Sequence, residues 1–568
     1  MTAKAAYGPA SAVVLALCGW AASAAVNDVS SSKPAKAEVG MSMALPKGDP
    51  KCAALAHVAL PDTEIVSVAI QPANLPITGV NVRASDGSGA SRVLSGLPAF
   101  CRVVGRIHPE PGSDIRFEVW LPNEGWNGRY MGVGNGGFAG SIRYRDMGNA
   151  ISAGHATAST DTGHAADVAH DASWARGNSA KLRDYGWRAV HLTAVNAKRL
   201  IAAYYGRPVD RSYFQSCSNG GRQGLMEASR FPEDYDGILA GAPAAQFTKA
   251  AMAMVWVQQL QRSAGAAFRP EQMQLLQDQV MNQCDAVDGQ SDGLVDDPRM
   301  CRVDLAKLSC GNSSSPQCFS APQINALRQL YEGPPKSSGR TVAFPFSPSG
   351  AELGRPVSFL GWDGYITAGG KAPPQQAYLA GGLLQDLITP PFASIDGFNW
   401  KTDPPKVTAA LGGVLDVQPN LSKYFARGGK LIIYHGWADA AIPPEQTIDF
   451  YKAILRQSGR KAASSARLFM IPGMQHCFGG TGAEMFGEMS APAHDAEPEN
   501  NISMALRHWV EHGREPASVI GVSSLPPLKQ RLHCAYPARA ALKPRADPDK
   551  AANYVCRPPA AVLKRAKP

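Results

Sequence analysis

The sharpest chemistry in the sequence lies in Phe214-Gln215-Ser216-Cys217-Ser218-Asn219-Gly220-Gly221-Arg222-Gln223-Gly224, which reads as a strand entering a glycine-rich turn and then a helix. In a nucleophile elbow of this form the serine sits on a strained turn with its Oγ above the sheet edge. The next N–H, at the helix start, can stabilise an oxyanion. Ser218 is the candidate nucleophile and the Asn219 N–H the candidate oxyanion donor. The usual elbow has glycine two places before the serine; Ser216 stands there in this chain, and its small side chain still fits the turn.

A serine needs a base, and the base needs an orienting carboxylate. In α/β-hydrolase order the acid and then the histidine follow the serine, each in a loop after a late strand. Asp439 follows the β-type run 430–435, and His476 follows the run 466–471 in Pro472-Gly473-Met474-Gln475-His476-Cys477. Among 12 histidines, His476 combines this position with a glycine-rich setting. His435 is its rival, but it precedes Asp439 and reads better as a hydrogen-bonded strand-end histidine. His155, Asp161 and His164 could suggest a metal; turn-forming structural roles suit them better.

A second constellation is Cys284-Asp285-Ala286-Val287-Asp288-Gly289-Gln290-Ser291-Asp292-Gly293-Leu294-Val295-Asp296, closed by Cys301. Hard oxygen ligands at close spacing, with glycines for sharp turns, are what Ca²⁺ requires, although the spacing is not that of an EF-hand. The expected ligands are the carboxylates of Asp285, Asp288 and Asp292 and the backbone carbonyls of Gln290 and Leu294, with Asp296 a weaker candidate. So many carboxylates repel one another unless a cation lies among them. The site reads as structural, with nothing of a redox or zinc cluster about it.

The elements that must position these residues follow the rhythm of a parallel α/β sheet. Short β-type runs, such as 115–121 and 129–133, dominate residues 66–137. A helical stretch at 182–205, a buried strand at 213–216 and a helix at 221–230 come next. The rhythm lapses after Gly241-Ala242-Pro243 for about 180 residues and returns at 430–435, 466–471 and a helix at 501–511. The expected organisation is a hydrolase core over 51–243, an inserted lid over 244–424, and the second part of the core with a tail over 425–568.

Lys4, the apolar stretch 12–20 and the small residues 21–25 read as a secretory signal peptide, with a Ser-, Lys-, Ala- and Gly-rich leader over 26–50. The expected location is secreted or periplasmic. Setting Cys18 aside from the 11 cysteines leaves ten, an even number that suggests disulfides in an exported chain. Proximity favours Cys284 with Cys301, Cys310 with Cys318, and Cys534 with Cys556. If Ser218 and His476 touch, their neighbours Cys217 and Cys477 are placed to bond, which leaves Cys52 for Cys101. With 45% hydrophobic and 18% charged residues the chain is globular, and its scattered net charge of +9 argues against nucleic-acid binding. No further apolar run approaches the length of a membrane helix.

The elbow, with Arg230-Phe231-Pro232 and Tyr235-Asp236-Gly237, resembles the tannase and feruloyl esterase family, which includes esterases of terephthalate monoesters. The resemblance extends over nearly the whole mature chain, through Trp126-Asn127-Gly128-Arg129, Gly134-Asn135-Gly136-Gly137, 158–164, the Asp-rich loop, 434–439 and 473–477. It implies an α/β-hydrolase core, a large lid between nucleophile and acid, a lid Ca²⁺ site, and a disulfide joining the cysteines beside serine and histidine. By resemblance Ser218 is nucleophile, His476 base and acid, and Asp439 the orienting carboxylate. A glycine of the 134–137 run, Gly136, joins Asn219 in the oxyanion hole. Terephthalate-cleaving members are expected to carry Glu where this chain has Asn219. The implied activity is hydrolysis of feruloyl- or galloyl-type aromatic esters through an acyl-serine, with a small-molecule partner, neither nucleic acid nor membrane. Phe398 and Trp400 of the insert are candidates for an aromatic pocket, although isolated aromatics are more often core. Other acyl esterases, a serine peptidase, and a Ca²⁺-stabilised binding module on a dead hydrolase fold are the competing readings.

Overall fold

In the computed structural model, the described residues are 49–558 without 78–81, 84–90, 93, 167, 169, 312–316, 355–359, 368–372 and 489–496. The signal peptide and nearly all of the leader lie outside them. Nine strands make one sheet: β1 (Thr63–Gln71), β2 (Phe100–Ile107), β3 (Ile115–Pro122), β4 (Arg129–Val133), β5 (Ala156–Thr160), β6 (Arg211–Cys217), β7 (Gly237–Gly241), β8 (Lys430–Gly436) and β9 (Ala466–Ile471). Their order is β1-β2-β3-β5-β4-β6-β7-β8-β9. The first three strands and β5 pair antiparallel; from β5 onward every pairing is parallel. The exchange of β4 and β5 and the parallel run beyond it make this an α/β-hydrolase sheet.

The parallel strands β7 and β8 are buried at almost every position, as a sheet covered on both faces requires. Helices α1 (Ala189–Tyr205) and α2 (Asn219–Arg230) pack on one face with Leu200, Leu225 and Ile238, and Trp509 of a later helix packs on the other with Tyr434 and Phe469.

Between β7 and β8 the chain leaves the sheet and forms most of a third apolar core, which Phe138, Tyr185 and Ile442 from outside this stretch join. The sequence reads this stretch as irregular, yet it holds α3 (Phe247–Arg262), α4 (Pro270–Cys284), α5 (Ala321–Glu332), α6 (Gln375–Gly382) and α7 (Pro404–Leu415). The reason is visible in α3, which buries residues all round its axis and so shows no amphipathic stripe. The chain rejoins the core where the Val417 N–H donates to the Ala245 carbonyl. Helices α8 (Pro444–Gln457) and α9 (Ile502–His512) complete the second half of the core.

Five disulfides pair Cys52 with Cys101, Cys217 with Cys477, Cys284 with Cys301, Cys310 with Cys318, and Cys534 with Cys556. These are the pairings read from the sequence.

Candidate active site

Ser218 lies between the end of β6 and the start of α2, with φ 65° and ψ −126°. Positive φ costs a serine steric strain, and surrounding contacts must hold it. The Ser218 N–H donates to the Gly241 carbonyl of β7, and its own carbonyl accepts from the Arg222 and Ala244 N–H groups. The two small positions that flank the serine touch each other: a Cβ on Gly220 would lie 1.9 Å from Ser216 Oγ. Because Gly220 gives up its side chain, the turn accommodates serine at the place usually held by glycine.

The three candidate residues meet at hydrogen-bonding distance. Ser218 Oγ is 2.9 Å from His476 Nε2, and His476 Nδ1 is 2.7 Å from Asp439 Oδ2. The other carboxylate oxygen, Oδ1, accepts from the N–H groups of Ala441 at 2.7 Å and Ile442 at 2.8 Å. Burial alone would raise the Asp439 pKa, but His476 and His435 beside it hold the carboxyl well below the ordinary carboxylate range. His435 is fully buried and does not take the place of the base; its Nε2 is 3.1 Å from Asp439 Oδ2. The Cys217–Cys477 bond ties the turn of the serine to the turn of the histidine.

The 134–137 loop is clamped to the elbow helix. Gln223 Oε1 accepts from the Asn135 N–H at 3.1 Å, and its Nε2 donates to Asn135 Oδ1 at 2.7 Å. The side chain of Asn219 belongs to the same clamp: its Nδ2 donates to the Asn135 carbonyl, while its Oδ1 accepts from buried Arg222. Arg222 also donates to the carbonyls of Tyr185 and Gly186. Gly136 and Asn219 both line the cavity in front of Ser218, and the Asn219 N–H is among the unpaired donors at the start of α2.

That cavity has a volume of about 340 Å³. Phe138, Phe247, Leu360 and Leu379 form much of its apolar wall, and Tyr365 stands edge-on to His476 with ring centroids 5.8 Å apart. The suggested pocket residues Phe398 and Trp400 do not line it. They meet edge to face in the core of the insert, where Trp400 Nε1 donates to Gln259. The lining residues escaped sequence reasoning because α3 and the 360–379 segment carry no motif. Arg143 lines the cavity too, half-exposed, with Nε donating to Asp146 at 3.0 Å.

The Asp-rich loop folds on itself. Asp285 Oδ1 accepts from the N–H groups of Asp292 and Gly293, Asp288 Oδ1 from that of Gln290, and Asp292 Oδ1 from that of Leu294. Asp288 Oδ2 is buried without a hydrogen-bond partner, and burial together with the charge of Asp296 pushes this carboxyl up to about 7. A cation among these oxygens would satisfy the orphaned atom, so the donor set fits Ca²⁺. The sequence did not foretell Arg531, whose guanidinium pairs with Asp292 and Asp296 from a strand 239 residues on. Asp296 therefore faces an arginine.

His155, Asp161 and His164 do not converge. Asp161 accepts from the Arg116 and Gly163 N–H groups, His155 contacts Asn127 and Arg507, and His164 bonds the Phe138 carbonyl.

Known proteins resemble this chain in sequence and in fold. The sequence profile of the family described as tannase and feruloyl esterase matches residues 101–557. A probable feruloyl esterase B-2 of Aspergillus flavus is 32% identical over 77% of this chain and 83% of its own. The mono(2-hydroxyethyl) terephthalate hydrolase of Piscinibacter sakaiensis is 30% identical over 84% of this chain and 87% of its own. The crystal structure of feruloyl esterase B from Aspergillus oryzae superposes with a TM-score of 0.79 at 25% identity, covering 89% of this chain and 99% of that one. By sequence and by fold, the chain belongs to the tannase and feruloyl esterase family of carboxylic ester hydrolases.

Proposed function

We propose that this esterase hydrolyses feruloyl- or galloyl-type esters of aromatic acids through an acyl intermediate on Ser218. One observation carries the reading: a hydrogen-bonded chain from Ser218 Oγ through His476 to Asp439 opens on a cavity walled by aromatic and aliphatic side chains. In the first step Ser218 Oγ bonds to the ester carbonyl carbon and its proton passes to His476 Nε2. The Asn219 N–H, with Gly136 of the clamped loop, receives the developing oxyanion. His476 then protonates the departing alcohol, and a water activated by the same nitrogen releases the acid.

Arg143 favours a second reading of the substrate. It is the one Lys or Arg among the described residues lining the cavity, and its partner Asp146 does not itself line it. An ester that carries a free carboxylate, such as a terephthalate monoester, would find a cation within the cavity.

The acidic loop would hold Ca²⁺ through Asp285, Asp288, Asp292 and the carbonyls of Gln290 and Leu294, where the ion would neutralise the crowded carboxylates and fix the loop. The insert acts as the lid of the site. A secreted or periplasmic location is supported by five disulfides, which persist in oxidising compartments.

The test is mass spectrometry of the protein with methyl ferulate, methyl gallate and a terephthalate monoester, following released acid and adducts on Ser218. Release of at least one acid is expected, with a loss of roughly 10⁴-fold or more in Ser218→Ala. Near-normal turnover in that variant rejects the mechanism. Release of terephthalate alone, weakened by Arg143→Gln, favours the second reading.

A further inference from the structure

Resting on the triad reading above, we propose that His435 is a positioning residue for the catalytic acid, fixing the Asp439 carboxylate toward His476, and that Thr447 holds His435 in the tautomer this requires. The imidazole of His435 is fully buried, and each ring nitrogen has a defined partner. Its Nε2 faces two acceptors, the Ile442 carbonyl and Asp439 Oδ2, each at 3.1 Å. A nitrogen between two acceptors carries the proton, so in the neutral ring Nδ1 has the free lone pair. Thr447 Oγ lies 2.8 Å from Nδ1 and donates its hydroxyl proton there. Thr447 comes from α8 and is itself buried, so the tautomer is set by a second element rather than by water.

Asp439 then receives four donors. The Ala441 and Ile442 N–H groups take Oδ1, and the two imidazoles share Oδ2. Two donors on each oxygen leave the carboxylate no alternative rotamer of equal energy. Ile442 closes the arrangement, because its N–H donates to Asp439 and its carbonyl accepts from His435. Removing His435 strips Oδ2 of its second donor and frees the 439–442 turn. The carboxylate can then swing away from His476 without any change in the pocket that binds the ester.

A defect in orientation should appear in kcat and leave KM alone, since a small misplacement of catalytic groups costs rate. The variants are His435→Leu, which removes the donor, His435→Gln, whose amide nitrogen reaches about where Nε2 stands, and Thr447→Val. Each is made in the full chain with disulfides intact. Turnover of an aromatic ester that the wild type cleaves, thermal unfolding, and labelling of Ser218 by a fluorophosphonate are measured together. We expect His435→Leu to lower kcat and the labelling rate roughly 10- to 100-fold with KM within about twofold. His435→Gln should recover most of this, and Thr447→Val should lose roughly 3- to 10-fold.

The inference is overturned if folded His435→Leu keeps the wild-type kcat, or if the Gln variant is as impaired as the Leu variant while equally stable. Should His435→Leu fail to fold, Thr447→Val decides: a folded protein with wild-type kcat and labelling rate overturns the proposal. A wild-type protein that neither cleaves an ester nor labels at Ser218 rejects the triad reading itself, a result distinct from all of these.

Discussion

Ser218 is held where an L-residue pays for its backbone angles, and the payment comes from contacts that leave no spare volume. Gly220 and Ser216 show how little is spare, since the first tolerates the second only by lacking a Cβ. Gly220→Ala should therefore destabilise the fold by about 1–3 kcal/mol, as overpacking does, and depress activity further by shifting the elbow. Ser216→Gly in the same chain removes the clashing hydroxymethyl group, so the double variant should regain much of the lost stability in a denaturant titration. Equal instability of single and double variants would show that the strain lies elsewhere, at the Asn135 carbonyl 3.2 Å from the same point. Residue types and chain order made Ser218, Asp439 and His476 legible before any coordinates. The further partners of Asp439, His435 among them, were not legible, because no spacing rule says which carboxylate oxygen a strand-end histidine will reach. Arg531 escaped for a related reason: a lone arginine 239 residues from its partner carries no local pattern.

Strands and helices hold the elbow in place through a few polar ties between distant segments. Arg129 of β4 grips Glu511 of α9 by two bonds of 2.7 and 2.6 Å, and Tyr213 of β6 donates to the same carboxylate at 2.6 Å. The arginine holds the Glu511 carboxyl at about 2, below the ordinary glutamate value of about 4.3. A carboxylate whose folded pKa is depressed adds stability above its unfolded value and loses it as pH falls through the folded one. Glu511→Gln should thus lower the unfolding temperature at pH 7, where solvent screening limits the effect to about 1 kcal/mol. The gap between variant and wild type should close as pH drops from about 4.3 toward 2. A gap independent of pH would assign the loss to packing or to the Tyr213 bond. At this scale the sheet was legible where strands are buried at all but one position, as in 129–133 and 466–471. The insert was not, since helices wrapped in their own core, such as α3, lack the polar face that makes a period visible.

Across the whole molecule, the insert and the two halves of the core meet behind the histidine. Gln475, next to His476, donates to the carbonyls of Ala351 and Leu353 in the insert. Gly473, with φ 67°, lies against Leu294 of the acidic loop so closely that a Cβ there would stand 2.8 Å from Leu294 Cδ2. The same loop grips the late strand Gln530–Cys534 through Arg531. A cation that orders the loop would therefore buttress the turn carrying the base, although it stands outside the cavity. Chelation should loosen both: at Ca²⁺ 100-fold above its Kd the linkage is worth about 2.7 kcal/mol, enough to move the unfolding temperature by roughly 2–5 °C. Calorimetry of chelated and Ca²⁺-restored protein reads the first effect, and esterase turnover in the same samples reads the second. Asp288→Asn should abolish the response of both to added Ca²⁺, since it replaces the carboxylate whose buried Oδ2 has no hydrogen-bond partner. If chelation shifts neither, Arg531 alone balances the loop, and the acidic residues serve as its anchor rather than as a metal site.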